Sequence, residues 1–310
     1  MWWIWVIAAA ALLIILTLII CSFTAKYMLH PKNPRGEAAM QSETDFWGFD
    51  RAVFDSYDKE KICIKSQYGY TLGGWYIKSD YPKNDGIRRV AVICHGFTSS
   101  LFGSVKYARI YLSLGFDCVI YDHRNHGDNE RNFTSMGWYE KDDLKTVCDF
   151  VRDRFKSERL IIGTHGESMG AATVMLESGE DDKLDFVVED CGYSTLEEQV
   201  DCSIKALFHL PKYPFVPISS VLIRLKYGFK MSEVRPIDSV ARSKMPMLFI
   251  HGENDKFVPY YMLKENYNAK KIGYKEMVSV KGAAHAESVK VDYDAYYNYI
   301  ESFLKKIGAL

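Results

Sequence analysis

Short apolar runs rich in β-branched residues alternate with helical stretches along most of this chain, and that alternation dictates its fold class. The first two runs, residues 62–65 and 71–77, mix polar with apolar positions around Gln67-Tyr68-Gly69, which predicts an antiparallel hairpin. The later runs are continuously apolar, as parallel strands covered on both faces are. They occupy residues 89–94, 117–121, 160–163, 186–188, 247–250 and 277–280.

Helical patterns fill the intervals between these runs, and one of them ends at Gly115, a residue typical of helix carboxyl ends. They occupy residues 105–114, 141–155, 169–177, 260–269 and 293–306. Strand–helix alternation produces right-handed crossovers, so we predict an α/β fold with an eight-stranded, mostly parallel sheet and helices on both faces. Residues 196–243 interrupt the rhythm with several prolines and phenylalanines, which favours an inserted lid over a long ordinary crossover.

The amino end differs from the rest of the chain, because residues 1–25 carry no charge and Thr17 is the only polar residue among residues 2–20. Roughly 20 apolar residues rising about 1.5 Å each cross a hydrocarbon core of about 30 Å. Three tryptophans near the start and Tyr27 at the far end suit the two membrane interfaces. We therefore predict one transmembrane helix in residues 1–25, in contact with lipid through residues 2–20.

Two other interpretations of this segment fit less well. A cleaved signal peptide has a positive amino region and small residues at its cleavage site, whereas this chain has no early Lys or Arg and carries Phe23 before Ala25. A lipoprotein cysteine usually follows a small residue, but Ile20 precedes Cys21. An uncleaved span remains the prediction.

The charges that follow the span predict its orientation. Lys26, Lys32 and Arg35 lie on its carboxyl side, so the positive-inside rule places residues 26–310 in the cytoplasm, with the extracellular face as the alternative. Seven cysteines, an odd number, do not form the pattern of a secreted disulfide framework. Across the 310 residues, 39 Lys and Arg oppose 40 Asp and Glu, and no basic run suggests a nucleic-acid partner.

The organisation after the span is a connector followed by one domain. Residues 26–58 are polar and punctuated by proline and glycine, with a possible short helix around residues 46–54. Residues 59–310 carry the regular strand and helix pattern and are predicted to form a single domain.

One motif indicates a catalytic residue. It is Gly166-Glu167-Ser168-Met169-Gly170, which follows an apolar run and opens a helix. This strand–turn–helix setting is that of a nucleophile elbow, where glycines permit a tight turn and the serine hydroxyl stands above the sheet. We predict Ser168 as a nucleophile.

A serine nucleophile needs a base and an acid that orients it. Asp255 follows the seventh strand and His285 follows the eighth, so the chain order is the one expected for this elbow. Glu189 and Asp190, after the sixth strand, are competing acids. We favour Asp255 because Gly252 and Val258-Pro259 frame the loop that presents it.

Acyl transfer also needs N–H donors for the developing oxyanion. We predict the Met169 N–H, at the start of the helix, and the Phe97 N–H, where Gly96 lets the backbone approach closely. His95 is then interpreted as a residue that braces its loop.

Residues 122–128 hold two histidines and flanking carboxylates, but the pattern is weak for zinc. We predict neither metal nor cofactor.

Taken together, these residues resemble the α/β-hydrolase superfamily, specifically its bacterial serine-aminopeptidase-like and esterase-like branch. The resemblance implies Ser168 as nucleophile with Asp255 and His285, Phe97 and Met169 as oxyanion donors, and a lid at residues 196–243. Asn125 departs from the pattern, since many relatives have glycine there. The matching pieces are His95-Gly96-Phe97, Asp122-x-Arg124-x-His126-Gly127, Gly166-x-Ser168-Met169-Gly170, Ile250-His251-Gly252-x-x-Asp255-x-x-Val258-Pro259 and Gly282-x-x-His285.

The expected function is that of a membrane-anchored serine hydrolase that cleaves a small carboxylic ester, since an aromatic lid would form an apolar acyl pocket. A small peptide or aminoacyl amide is the alternative substrate. Two other possibilities are an acyltransferase with the same acyl-enzyme and a non-catalytic ligand-binding scaffold. An intact Ser–His–Asp set argues against the scaffold.

Overall fold

The computed structural model describes residues 1–310 and contains the predicted eight-stranded sheet. Its spatial order is β1-β2-β4-β3-β5-β6-β7-β8, with β2 antiparallel to both neighbours and the other pairs parallel. The fold class expected from the sequence is therefore confirmed. The strands are β1 (Lys59–Lys65), β2 (Thr71–Ile77), β3 (Ile87–Cys94), β4 (Asp117–Tyr121), β5 (Arg159–Glu167), β6 (Phe186–Asp190), β7 (Met247–Gly252) and β8 (Lys275–Val280).

Twelve α-helices accompany the sheet. They are α1 (Trp2–Leu29), α2 (Gly36–Trp47), α3 (Arg51–Ser56), α4 (Val105–Ser113), α5 (Glu140–Arg154), α6 (Met169–Ser178), α7 (Leu196–Phe208), α8 (Lys212–Tyr227), α9 (Pro236–Arg242), α10 (Tyr261–Ala269), α11 (Ser288–Val291) and α12 (Tyr293–Lys306). Two short 3₁₀ helices lie at Leu101–Ser104 and Met231–Glu233.

The central strands are buried on both faces because helices cover each side. In β3, Ala91 and Ile93 join the core formed with α4 and α12, whereas Val90 and Val92 join the core formed with α5, α6, α9 and α10. Alternation of side chains along a strand thus divides one apolar run between two cores. A third apolar cluster lies above the carboxyl ends of the strands and brings together α1, α6, α7 and α8.

The connector is more helical than the sequence pattern indicates. Helix α1 continues past Ala25 to Leu29, because its last two turns pack against α8. The single short helix predicted around residues 46–54 is wrong: Gly48 lies in the left-handed region at φ 82° and separates α2 from α3. Glycine is the residue that adopts this conformation at least cost, and it commonly ends helices.

The segment predicted as a lid divides into two parts. Helices α7 and α8 pack on each other and lie above the sheet together with the end of α1. Helix α9 packs against α6 and α10, so it belongs to the helical layer that covers the sheet. The segment over the carboxyl ends of the strands therefore ends before α9.

Candidate active site

Ser168 lies at the turn between β5 and α6, with φ 56° and ψ −113°. This conformation is costly for a residue with a side chain, and it occurs where surrounding contacts hold it in place. Here the Ser168 N–H donates a 2.8 Å hydrogen bond to the Asp190 carbonyl at the end of the neighbouring strand. The strained turn directs the hydroxyl away from the sheet edge and into the cavity above it.

The glycines on either side of Ser168 are required by close backbone contacts. A Cβ on Gly166 would collide with the backbone of Gly170 and Ala171, and one on Gly170 would collide with the Cys94 and His95 carbonyl groups. The reason the motif contains glycine at both positions is thus steric.

His285 and Asp255 complete a hydrogen-bonded chain with the serine. Ser168 Oγ lies 2.8 Å from Nε2 of His285, and Nδ1 of His285 lies 2.7 Å from Oδ2 of Asp255. The Asp255 side chain is fully buried, while that of His285 is 23% exposed. The structure therefore brings together the three side chains that the sequence analysis selected, in the geometry of a nucleophile, its base and an orienting acid.

The Asp255 carboxylate is held in its charged form by several donors. Burial alone would raise its pKa, but hydrogen bonds from His251 and His285 outweigh burial and lower the pKa of Asp255 to about 2. The Phe257 and Val258 N–H groups each donate a 2.9 Å hydrogen bond to its other oxygen. A carboxylate with this many donors is charged throughout the neutral range and keeps a fixed orientation.

The competing acids point elsewhere. Asp190 accepts hydrogen bonds from Ser288 Oγ at 3.0 Å and Tyr296 Oη at 3.1 Å, and burial raises its pKa to about 6. Glu189 accepts a 3.0 Å hydrogen bond from the Gly192 N–H, and burial raises its pKa as well. Glu189 therefore braces the loop after β6, whereas Asp190 connects the end of β6 to α11 and α12.

The two predicted oxyanion donors flank Ser168. Met169 is the first residue of α6, so its N–H has no acceptor within the helix. On the other side, a Cβ built on Gly96 would lie 3.5 Å from the Ser168 Cβ, which shows how closely the loop after β3 approaches the serine. The Phe97 N–H, next in that loop, has no hydrogen-bond acceptor.

A buried charge network beside the elbow escaped the sequence analysis. The Lys106 Nζ lies 2.6 Å from Oε2 of Glu167, the residue just before Ser168, and both side chains are almost fully buried. Glu43, from α2, accepts a 2.6 Å hydrogen bond from Ser99 Oγ in the loop that carries Phe97. Burial would lower the Lys106 pKa, but Glu167 and Glu43 outweigh it and raise it. No sequence pattern marks these residues, because they come from three distant segments.

The histidines that suggested a weak metal hypothesis are both buried; the His126 ring braces its loop, while the His123 ring has no hydrogen-bond partner. His95 accepts a 3.0 Å hydrogen bond from the His123 N–H, and His126 lies against the Arg124 carbonyl at 2.9 Å. Burial lowers the pKa of His123 to about 3 and that of His126 to about 4, so both rings are neutral. Asn125 adopts φ 63°, a left-handed conformation that asparagine tolerates, which accounts for its place where relatives have glycine.

One group of side chains has its potential metal-binding atoms within 4.8 Å of one another, namely Cys191, Asp255 and His285. Asp255 and His285 already bond each other, and burial raises the pKa of the Cys191 thiol well above its usual value. A metal prefers a deprotonated thiol, so the group fits a proton-transfer arrangement better than a metal site.

A cavity of about 270 Å³ lies directly over Ser168. Of the 23 residues that line it, 17 are hydrophobic and none is charged. Phe97 and Met169 form its floor with Ser168, and Phe208 and Phe215 from the α7–α8 segment form part of its roof. Unexpectedly, Thr24, Ala25, Tyr27 and Met28 of α1 also line it.

Comparison with known proteins agrees with this architecture. Residues 85–186 match the family model described as serine aminopeptidase, S33. The protein YqkD of Bacillus subtilis (strain 168) is 34% identical over 286 residues, which are 91% of this chain and 90% of that protein. The lysophosphatidylserine lipase ABHD12 of Xenopus tropicalis is 22% identical over 63% of this chain and 49% of its own length.

Among solved structures, the Pyrococcus furiosus esterase Pf2001 superimposes with a TM-score of 0.69 at 22% identity, covering 90% of this chain and 98% of the esterase. At this identity the likeness concerns the fold, which is the sheet and helix arrangement described above. Together with the relative that is 34% identical over nine-tenths of both chains, these similarities identify the chain as a member of the α/β-hydrolase superfamily, in its serine-aminopeptidase-like and esterase-like branch, and as a serine hydrolase.

Proposed function

We propose that this protein is a carboxylic ester hydrolase that works through an acyl-enzyme on Ser168. In the first half-reaction His285 Nε2 takes the hydroxyl proton while Ser168 Oγ attacks the ester carbonyl carbon. The tetrahedral oxyanion accepts hydrogen bonds from the Phe97 and Met169 N–H groups. Its collapse breaks the ester C–O bond, and the alcohol leaves with the proton that His285 returns to it.

In the second half-reaction, water replaces the alcohol. His285 removes a proton from water as the water oxygen attacks the acyl carbon, and collapse of the second tetrahedral species releases a carboxylic acid. The proton returns to Ser168 Oγ, so no cofactor or net redox change is needed. Asp255 holds the His285 ring in the required tautomer and stabilises the imidazolium that forms in each half-reaction.

The single observation that favours an ester is the absence of charge from the cavity over Ser168. An aminoacyl substrate carries an ammonium group, and burying that group in this lining without a carboxylate partner would cost several kcal/mol. The alternative, cleavage of a small peptide or aminoacyl amide, is supported by the serine aminopeptidase description of the matching family model.

The test is a panel of uncharged acyl esters and aminoacyl amides offered to the full-length protein in detergent. We expect ester hydrolysis to dominate, and Ser168→Ala to abolish both hydrolysis and labelling by a fluorophosphonate. Asp255→Asn should reduce kcat by about 10⁴ while leaving the protein folded. Labelling that persists in Ser168→Ala would refute the nucleophile, and a preference for aminoacyl amides would favour the alternative substrate.

We also propose that α1 crosses a membrane and that residues 59–310 form the catalytic domain on its cytoplasmic side. Helix α1 is the one helix long and apolar enough to span a bilayer. The basic residues after it and the seven free cysteines support the cytoplasmic placement. Protease added to intact cells should leave the domain undigested, and its digestion from outside would reverse the orientation.

A further inference from the structure

Only the last part of α1 touches the rest of the protein. Up to Leu16 every side chain is exposed, whereas a buried or half-buried stripe then runs along one face of the helix. Its members recur at helical spacing at Cys21, Thr24, Ala25, Met28 and Leu29. The Leu29 carbonyl accepts a 2.8 Å hydrogen bond from the Thr134 N–H, which fixes the end of the helix to the domain.

Helix α8 is the main partner of this stripe. The Ser219 Oγ donates a 3.3 Å hydrogen bond to the Cys21 carbonyl and lies 3.4 Å from the Thr24 hydroxyl. Near the end of both helices, His30 Nε2 lies 2.9 Å from the Tyr227 hydroxyl. These contacts hold α8 alongside the end of α1, with the cavity over Ser168 enclosed between them.

The outer face of α8 is apolar although it is exposed. Pro217, Val221 and Leu225 recur every four residues, and Val221 and Leu225 are 54% and 79% exposed. Tyr213, which is 70% exposed, comes just before them, where the backbone is not helical. A stripe of this kind is unusual on a surface that faces water, but it suits a surface that faces lipid. It belongs to the helix that packs against the end of α1.

Helix length places the cavity at the level of the membrane interface. The 28 residues of α1 extend about 42 Å at 1.5 Å each, and the hydrocarbon core accounts for about 30 Å of that length. With the tryptophans of the amino end at one interface, the remaining length of about 12 Å corresponds to the turns that line the cavity. The turns of α1 that line the cavity therefore lie where acyl chains end and headgroups begin.

An aromatic contact links the cavity to this lipid-facing surface. Tyr27 and Phe208 both line the cavity and meet edge to face at 6.0 Å, and Phe208 in turn meets Phe23 at 6.5 Å. The Phe23 side chain is 58% exposed on the outer face of α1. Apolar side chains thus extend from the outer face of α1 to the cavity over Ser168.

We propose that the carboxyl-terminal turns of α1 are part of the substrate site, and that the substrate is a single-chain lipid ester that enters from the bilayer. This inference rests on the proposed esterase function and specifies its substrate class. The uncharged lining suits an acyl chain, and a cavity of about 270 Å³ is slightly smaller than the roughly 300 Å³ at which ligand pockets usually begin, which favours one chain over two.

The first test compares matched substitutions on one helix. Full-length protein in phosphatidylcholine vesicles is given monobutyrylglycerol or monomyristoylglycerol, and the ratio of the long-chain rate to the short-chain rate is measured. Ala25→Phe narrows the cavity from the anchor side, so we expect this ratio to fall about tenfold. Ala11→Phe makes the same change on the lipid-facing part of α1 and should leave the ratio unchanged.

A second substitution shifts the ratio in the opposite direction, which misfolding cannot do. Met28→Ala enlarges the same wall, so the preferred acyl chain should become longer than in the wild type. Equal ratios in Ala25→Phe, Met28→Ala and Ala11→Phe would overturn the role of α1 in the substrate site.

The route of entry has its own measurement. Phosphatidylcholine is added while the concentration of protein and the bulk concentration of monomyristoylglycerol are held constant, so the mole fraction of monomyristoylglycerol in the vesicles falls. If the substrate enters from the bilayer, the rate follows that mole fraction. A rate that follows bulk concentration instead would refute bilayer entry. Both results leave the esterase assignment intact, because that assignment fails on other outcomes: hydrolysis or fluorophosphonate labelling retained in Ser168→Ala, or a preference for aminoacyl amides over esters.

Discussion

His251 Nε2 lies 3.1 Å from Oδ2 of Asp255, the same carboxylate oxygen that faces Nδ1 of His285. The His251 side chain is fully buried, and its Nε2 also lies 3.0 Å from the Val258 carbonyl. Two imidazoles thus hold Asp255, first that of His251 on the side of the strand and second that of His285 on the side of the cavity. The first imidazole touches no reacting atom, so its role is to position the acid.

Substitution of His251 should separate positioning from packing. His251→Phe removes the donor, and we expect kcat to fall roughly 10- to 100-fold because one hydrogen bond to a charged group is worth about 1.5–3 kcal/mol. His251→Gln keeps an N–H near the Nε2 position and should recover part of the loss. Steady-state kinetics with a soluble ester measures both, and equal losses in the two variants would contradict a positioning role.

The buried Lys106–Glu167 pair predicts a large stability effect. Lys106→Met leaves Glu167 and Glu43 buried without their counter-ion, and removal of one partner from a buried pair costs about 3–5 kcal/mol. Adding Glu43→Gln and Glu167→Gln should restore more than half of the lost thermal stability. Lys145→Met, which breaks an exposed pair with Asp149, is the control and should leave Tm nearly unchanged. A loss in Lys106→Met as small as in this control would contradict the prediction.

The elbow glycines predict a steric penalty. Gly170→Ala forces a Cβ against the carbonyl groups of Cys94 and His95, which are backbone atoms of a central strand and its loop. We expect a loss of about 2–3 kcal/mol in unfolding free energy together with loss of esterase activity. Gly73→Ala is the matched control, since its Cβ would meet only the Asn129 side chain at 3.3 Å. Equal losses of stability in the two variants would argue against this steric explanation.

The pKa of Asp143 predicts that the stability of the folded protein depends on pH. Burial raises its pKa to about 7, although hydrogen bonds from Ser66 and Tyr70 oppose the rise. Between about pH 4 and 7 the folded protein then binds a proton at Asp143 that the unfolded chain does not bind. The stability that comes from this proton is therefore complete below pH 4 and is lost as pH rises through 7. Asp143→Asn removes the titration.

The measurement is the difference in unfolding free energy between wild type and Asp143→Asn at pH 5 and pH 8, with the full-length protein in detergent. As pH rises, the wild type should lose stability relative to Asp143→Asn. The whole loss is roughly 3–4 kcal/mol between about pH 4 and 7, and most of it falls in the measured interval. A difference that stays constant with pH would mean that Asp143 is charged in the folded state at both values.

Much of the fold could be predicted because its determinants are local. Strand and helix periods, glycine at tight turns and the order of loops along the chain all act within a few residues of one another. The elbow glycines surrounding Ser168 are an example, since their steric requirement arises from the turn itself and its immediate neighbours. The helices of the connector were predicted less well, because Gly48 determines where one ends and the next begins.

Ser168, Asp255 and His285 were selected from the sequence, and the tertiary structure brings their side chains into one hydrogen-bonded chain. The sequence favoured Asp255 through the residues that frame its loop, but only the folded structure shows that Glu189 and Asp190 bond elsewhere. The Lys106 network lay beyond prediction because its members are far apart in the chain.

The amino-terminal segment shows most clearly which properties come from the sequence alone and which come from the tertiary structure. The sequence by itself determined that residues 2–20 are apolar, uncharged and long enough to span a bilayer, because composition and length decide that property. Only the tertiary structure decided that the next turns of the same helix line the cavity over Ser168. Their burial depends on α8, which lies almost 200 residues further along the chain, and no local pattern specifies a contact over that distance.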